Sequence, residues 1–276
     1  MTETERERQY SPSSMLDGPL EPFLSAYVQR SQEAYEAVGP VHEIRYGLGP
    51  ANTIDLARPD NDEPVPVHMF IHGGYWQQLS KRESFFLALD VLRQGSAFAA
   101  VDYTLAPEAS VDEIVAECCS AIAALHGAAD DHGLDSTAIT VSGSSAGAHL
   151  AAMSALRLPA QQRPAGLILV SGVYELEPLV DTSINDLVGL DVEAARRNSP
   201  MLLELEGFPP SVVAFGQHET AEFKAQSQAL VDGLRAAGCP VVETEIAARN
   251  HFDVVFDIAS LLQPMLPEPI ESPGAP

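Results

Sequence analysis

Residues 138–152 read "AITVSGSSAGAHLAA". The first part, "AITVSG" (138–143), is a short apolar run with β-branched residues, as expected of a buried strand. From Ala146 onward the stretch is Ala-rich and predicts a helix. Between them stand Gly143, Ser144, Ser145, Ala146 and Gly147, a G-x-S-x-G pattern. A chain that passes from strand to helix within so few residues needs a strained corner, and the glycines remove side chains that would clash there. A serine at that corner projects its hydroxyl from the sheet edge at a helix N-terminus, whose dipole favours developing negative charge. The pattern alone is common by chance. Strand before and helix after give it the context of a nucleophile elbow at Ser145.

Outward from this corner, strands alternate with helices. Strands are expected at 41–47, 52–58, 67–73, 96–103, 166–172, 211–216 and 241–246. "VHMFIHG" (67–73) is mostly apolar, as a strand buried on both faces requires. Helices are expected within 80–94, over "SVDEIVAECCSAIAALHGAA" with Ser110 as its cap, and through 220–237. This alternation predicts an α/β chain with a mostly parallel sheet covered on both faces. Residues 173–210 interrupt it and read as a lid-like insertion. Residues 1–40 read as an N-terminal arm with a helical stretch packing on the core. The main α/β domain runs over 41–263, and 264–276 is a Pro-rich tail.

The chain has 276 residues and a formal charge of −24, which argues against nucleic acid or anionic membranes as partners. No apolar run reaches the roughly 18 residues of a membrane span. The opening "MTETERERQYSPSS" lacks the apolar core of a secretory signal, so a cytoplasmic location is expected. The three cysteines, Cys118, Cys119 and Cys239, have neither disulfide-framework nor zinc spacing. No metal and no cofactor are expected. A homodimer is one option for its assembly.

A serine nucleophile needs oxyanion donors, a base and a carboxylate. "HGGYW" (72–76) follows the 67–73 strand well upstream of the elbow. Gly73 and Gly74 would let the backbone turn its N–H groups inward, with Gly74, Tyr75 and Ala146 as donors. Tyr75 and Trp76 would then wall an aromatic pocket; the alternative is a turn with Trp76 in the core. In the order Ser, acid, His, the base should follow the last strand, and His251 in "AARNHFDVVFDI" stands there. The acid should follow "SVVAFG". Glu219 is the first carboxylate in "QHETAEFKAQS", with Glu222 as competitor. Asp253 is close to His251 in sequence and better suited to starting its helix.

"HGGYW", "GSSAGAHLAA", "SGVYELEPL", "GQHETAEFKAQS" and "RNHFDVV", in that order, resemble the arylformamidase (kynurenine formamidase) branch of the α/β-hydrolases. "QYSPSS" and "DYTLAPEASVDEI" extend the resemblance over roughly residues 9–262. It implies an α/β-hydrolase fold and a triad of Ser145, Glu219 and His251, with the oxyanion loop at Gly73, Gly74 and Tyr75. The implied reaction is hydrolysis of N-formyl-L-kynurenine to L-kynurenine and formate, without a metal. Two departures stand out. Members often carry His where this chain has Ser144, and animal members have Asp where it has Glu219. Ser144, Ser183 and Asn185 are further candidates for the substrate pocket, the last two on the polarity of "TSINDL" alone. The rival readings are a short-chain carboxylesterase or other amidase on the same scaffold, since "DYTLAPE" also resembles hormone-sensitive-lipase-like esterases, and an inactive hydrolase fold used for binding.

Overall fold

Eight strands make one sheet: β1 (His42–Arg45), β2 (Thr53–Ala57), β3 (Val65–Ile71), β4 (Ala97–Val101), β5 (Leu134–Ser144), β6 (Gly166–Val170), β7 (Ser211–His218) and β8 (Val241–Asn250). The computed structural model describes residues 1–262, so the Pro-rich tail lies outside the described residues. The spatial order is β1-β2-β4-β3-β5-β6-β7-β8. β1 and β2 are antiparallel to their neighbours, and every pair from β4 to β8 is parallel.

The central strands are buried on both faces, as parallel strands under two helical layers must be. Period-2 alternation sends Met69 and Ile71 of β3, with Leu167 and Leu169 of β6, into one core. Phe70, Ile168 and Val170 enter the other. The helices are α1 (Glu3–Tyr10), α2 (Glu21–Ala37), α3 (Ala88–Arg93), α4 (Val111–His132), α5 (Ala146–Arg157), the short α6 (Asn185–Val188) and α7 (Val192–Arg197), and α8 (Ala221–Ala236). α4, α5 and α8 cover the first core. α2, α3 and the 3-10 turns at Lys81–Leu87 and Val254–Leu261 cover the second. α4 starts on a capping box in which Ser110 and Glu113 satisfy each other's backbone N–H, and it stops at Gly133, whose φ of +61° closes the helix.

The strand order reverses beside β3. From β3 the chain moves outward to β4, then crosses back through α4 to β5 on the other side. At such a switch point the carboxyl ends of the two strands open a crevice. Their register pairs Ile71 with Gly143, so "HGGYW" and the Ser145 corner emerge side by side.

The contact between these two exits is made by Gly147. A Cβ there would lie 2.0 Å from the Ile71 carbonyl oxygen and 2.6 Å from that of His72. Backbone cannot retreat cheaply from such an overlap. Gly147→Ala is therefore expected to lose about 3 kcal/mol or more of stability, at the upper end of overpacking costs. A urea midpoint within error of the parent would contradict that reading of the corner.

Candidate active site

Ser145 has φ +57° and ψ −121°, a conformation that a non-glycine residue adopts only under constraint. Three hydrogen bonds hold it. Its N–H donates to Val170 O at 2.8 Å, and its carbonyl accepts from Ala148 and His149 N–H at 3.0 and 3.2 Å. Gly143 completes the corner, since a Cβ there would meet the Gly147 carbonyl at 2.2 Å. The elbow at Ser145 thus joins β5 to α5.

The "HGGYW" loop is wound tightly. Gly74, Tyr75 and Trp76 have φ of +92°, +50° and +60° in succession. Gly73 is glycine for a different reason: a Cβ there would lie 2.7 Å from Ser144 O. His72 Nδ1–H donates to Gly73 O at 2.9 Å, and the Tyr103 hydroxyl donates to His72 O at 3.0 Å. Ala106 N–H donates to Trp76 O at 2.8 Å. Among the described residues, the N–H groups of Gly74, Tyr75 and Ala146 donate to no protein acceptor. They come from the loop and corner that flank Ser145, an arrangement that can donate to an oxyanion.

The Tyr75–Trp76 expectation divides. Tyr75 lines the cavity in front of Ser145, while Trp76 does not. Trp76 is completely buried and packs edge-on against His149, with ring centroids 5.1 Å apart. The left-handed turn sends consecutive side chains apart, one to the site and one to the core, so Trp76 is a packing residue. His149 is buried too, donates Nε2–H to Asn198 O at 2.7 Å, and is pushed down to about 4 by burial.

Glu219 and His251 meet at the ends of β7 and β8. His251 Nδ1–H donates to Glu219 Oε2 at 2.9 Å. The other carboxylate oxygen, Oε1, accepts from the Ser171 hydroxyl and Gly216 N–H, both at 2.5 Å. Burial alone would raise the Glu219 pKa, but the charge and hydrogen bond of His251, followed by the Ser171 and Gly216 donors, hold it below the ordinary value. His251 is presented by a turn that the "NHFD" side chains close. Asp253 accepts from Asn250 N–H at 2.7 Å, and Asn250 accepts from Phe252 N–H at 2.8 Å. Phe223 packs edge-on to the imidazole at 4.4 Å. Glu222 points elsewhere, accepting a long 3.4 Å bond from the Tyr10 hydroxyl. Ser171, which sequence reasoning missed, is fully buried at the end of β6 with φ +51°. Its only sequence signal was its place in "SGVYELEPL", after a strand.

Ser145 and His251 line one cavity of about 360 Å³, together with Ser144. Among the described residues no hydrogen bond joins the two groups, a contact that in free enzymes often tightens only with substrate. Among the described residues, the cavity walls contain no Asp, Glu, Lys or Arg. Of residues 173–210, Ser183 and Ile184 reach it. Ser183 gives its hydroxyl and its N–H to the Glu7 carboxylate, so it is not poised for a ligand. Asn185 lies outside the wall. Its amide binds Val180 O, Leu190 O and Leu190 N–H, closing its own loop. Much of the remaining wall comes from residues 10–27, which the sequence reading assigned to an arm. Among the described residues no group of three or more His, Cys, Asp or Glu is placed to hold a metal ion.

Comparison with known proteins gives a consistent picture. A family model described as BD-FAE matches residues 54–177. Kynurenine formamidase of Danio rerio is 32% identical over 92% of this chain and 91% of its own length. That of Salmo salar is 31% identical with the same coverage. Among solved structures, the hyperthermophilic esterase of Pyrobaculum calidifontis superposes with a TM-score of 0.76 at 20% identity, covering 89% of this chain and 92% of that one.

The Ser171 contact has a pH signature. A carboxylate whose folded pKa is depressed adds stability that is present above its unfolded pKa and is lost as pH falls through the folded value. Ser171→Ala removes one depressing donor. At neutral pH the variant should be less stable by about 1.5–3 kcal/mol, as for a hydrogen bond to a charged group. The gap should narrow once pH falls below the ordinary Glu value of 4.5, because both proteins then lose the ionised form. Denaturation of both proteins from neutral to acid pH reads this directly. A gap constant across that window would mean that Ser171 acts by packing alone.

Proposed function

The chain belongs to the kynurenine formamidase family of the α/β-hydrolases, and we propose that it cleaves N-formyl-L-kynurenine to L-kynurenine and formate through a formyl-enzyme. One observation supports the reading: a strained serine, a histidine bound to a buried carboxylate, and Gly74 and Tyr75, whose N–H groups have no protein acceptor, border a single cavity.

In this reaction Ser145 Oγ attacks the formyl carbon while His251 takes its proton. The C=O bond becomes a C–O⁻ held by Gly74, Tyr75 and Ala146 N–H, a geometry Gly73 makes room for. Glu219 stabilises the imidazolium and fixes its orientation. As the tetrahedral species collapses, the C–N bond breaks and His251 returns the proton to the departing aryl nitrogen. Water, deprotonated by His251, then attacks the formyl ester. Its C–Oγ bond breaks, formate leaves and Ser145 regains its hydrogen. The neutral, largely apolar cavity suits the aromatic body of the substrate, and its charged amino-acid end is left to the opening.

The same machinery would also turn over activated aryl esters, whose leaving group is better than an amide nitrogen. The decisive comparison is kcat/KM for N-formyl-L-kynurenine beside p-nitrophenyl acetate, with Ser145→Ala as control. A formamide preference of about 10-fold or more, or about 1.4 kcal/mol in barrier, is expected. Ser145→Ala should lower both activities about 10⁴-fold or more and abolish fluorophosphonate labelling. Ester turnover with the formamide at background would make the protein an esterase. Formamide turnover surviving in Ser145→Ala would remove the serine mechanism.

A further inference from the structure

The acyl group of a formamide carries only hydrogen, so a cavity of about 360 Å³ far exceeds what the formyl side needs. Nearly all of that volume serves the leaving group. Tyr10, Ser11, Pro12 and Ser13 form one continuous stretch of its wall. This stretch ends the first helix, whose sequence "ETERERQY" is polar and buries only Gln9 and Tyr10.

The segment is tied down at three separate places. Arg6 pairs with Asp181 at 2.8 Å, and Glu7 receives Ser183, which anchors it to the 173–210 segment. Gln9 O accepts the Thr220 hydroxyl at 2.7 Å, one residue past Glu219. Tyr10 O accepts the Tyr75 hydroxyl at 2.6 Å, inside the "HGGYW" loop. The Tyr10 ring is buried against Phe223, the residue that also packs on His251. Two adjacent carbonyls thus grip the oxyanion loop on one side and the acid loop on the other. Tyr75 is half-buried, and the burial of its phenol drives the pKa well above the ordinary value, so it serves as a neutral donor.

We propose that the N-terminal segment is the specificity element of this site. Residues Tyr10–Ser13 are the wall that receives the leaving group, and the Gln9–Tyr10 backbone is a clasp that positions the oxyanion loop relative to the acid. Tyr75 is a positioning residue through its side chain, apart from the role of its N–H. The proposal rests on Ser145 as nucleophile and on a small acyl group.

The wall is tested by filling it. Ser11→Phe, with Ser13→Phe as a second variant should the first fold poorly, is assayed on two pairs that differ only in the leaving group. These are N-formyl aniline against methyl formate, and phenyl acetate against methyl acetate. Fluorophosphonate titration normalises each preparation to active sites. The expected result is a loss of about 10-fold or more in kcat/KM for the aryl member and less than about 3-fold for the methyl member of each pair. Equal losses in both members, or no loss in the aryl one, would overturn the wall. The acetate pair scores the wall even if the parent enzyme fails to cleave formamides, so the two readings fail separately.

The clasp is read in Tyr75→Phe, which keeps the ring and removes the bond to Tyr10. It should lower kcat about 10-fold for aryl and methyl substrates alike, with KM within about 3-fold. An unchanged kcat, or a loss confined to KM, would overturn it.

Discussion

The parallel register between β3 and β5 is the constraint on which the site depends. Pairing Ile71 with Gly143 brings two chain exits to one point on the sheet edge. The exits can approach because Gly147 presents no side chain to the Ile71 carbonyl and Gly73 none to Ser144. A shift of one residue would turn Met69 and Ile71 away from their core and separate the "HGGYW" loop from Ser145. Packing of the two cores therefore fixes the geometry of the proposed site as a by-product of folding.

The strain at Ser145 and along Gly74–Trp76 is held in place by this frame. Left-handed non-glycine residues each cost about 1–3 kcal/mol and persist only where their surroundings over-determine them. Here the surroundings are the ends of β3, β5 and β6, with Val170 O capping Ser145 N–H. The acid side is built by the same economy of means. Glu219 is buried, yet its carboxylate has three hydrogen-bond donors, in Ser171, Gly216 and His251. One oxygen is fully occupied by the scaffold, so the other is aimed at the imidazole.

Much of this was legible in the sequence. Strand-helix alternation carried the parallel sheet, and chain order carried Ser145, Glu219 and His251 to positions the structure brings to one end of the sheet. What escaped has physical causes. Trp76 looked like a pocket residue because it sits in the right loop, but successive left-handed residues throw it into the core. Ser183 and Asn185 are polar for their own loop's needs. Ser171 has no periodic signature, and its importance comes from a partner 48 residues away. The first helix is nearly all charged or polar, so amphipathic patterning does not find it, and only the fold shows that Gln9 and Tyr10 are its buried end.

The central claim is that one formyl-Ser145 intermediate stands between every formyl substrate and formate. Hydroxylamine, added as a competing nucleophile, tests it most directly. It would intercept the formyl-enzyme to give formohydroxamate in place of formate, and the ratio of the two products can be measured for N-formyl aniline and for phenyl formate, with enzyme-free blanks subtracted. The account predicts the same ratio from both substrates, because the leaving group has departed before partitioning occurs. Ratios that follow the leaving group, or no formohydroxamate from either substrate, would contradict it.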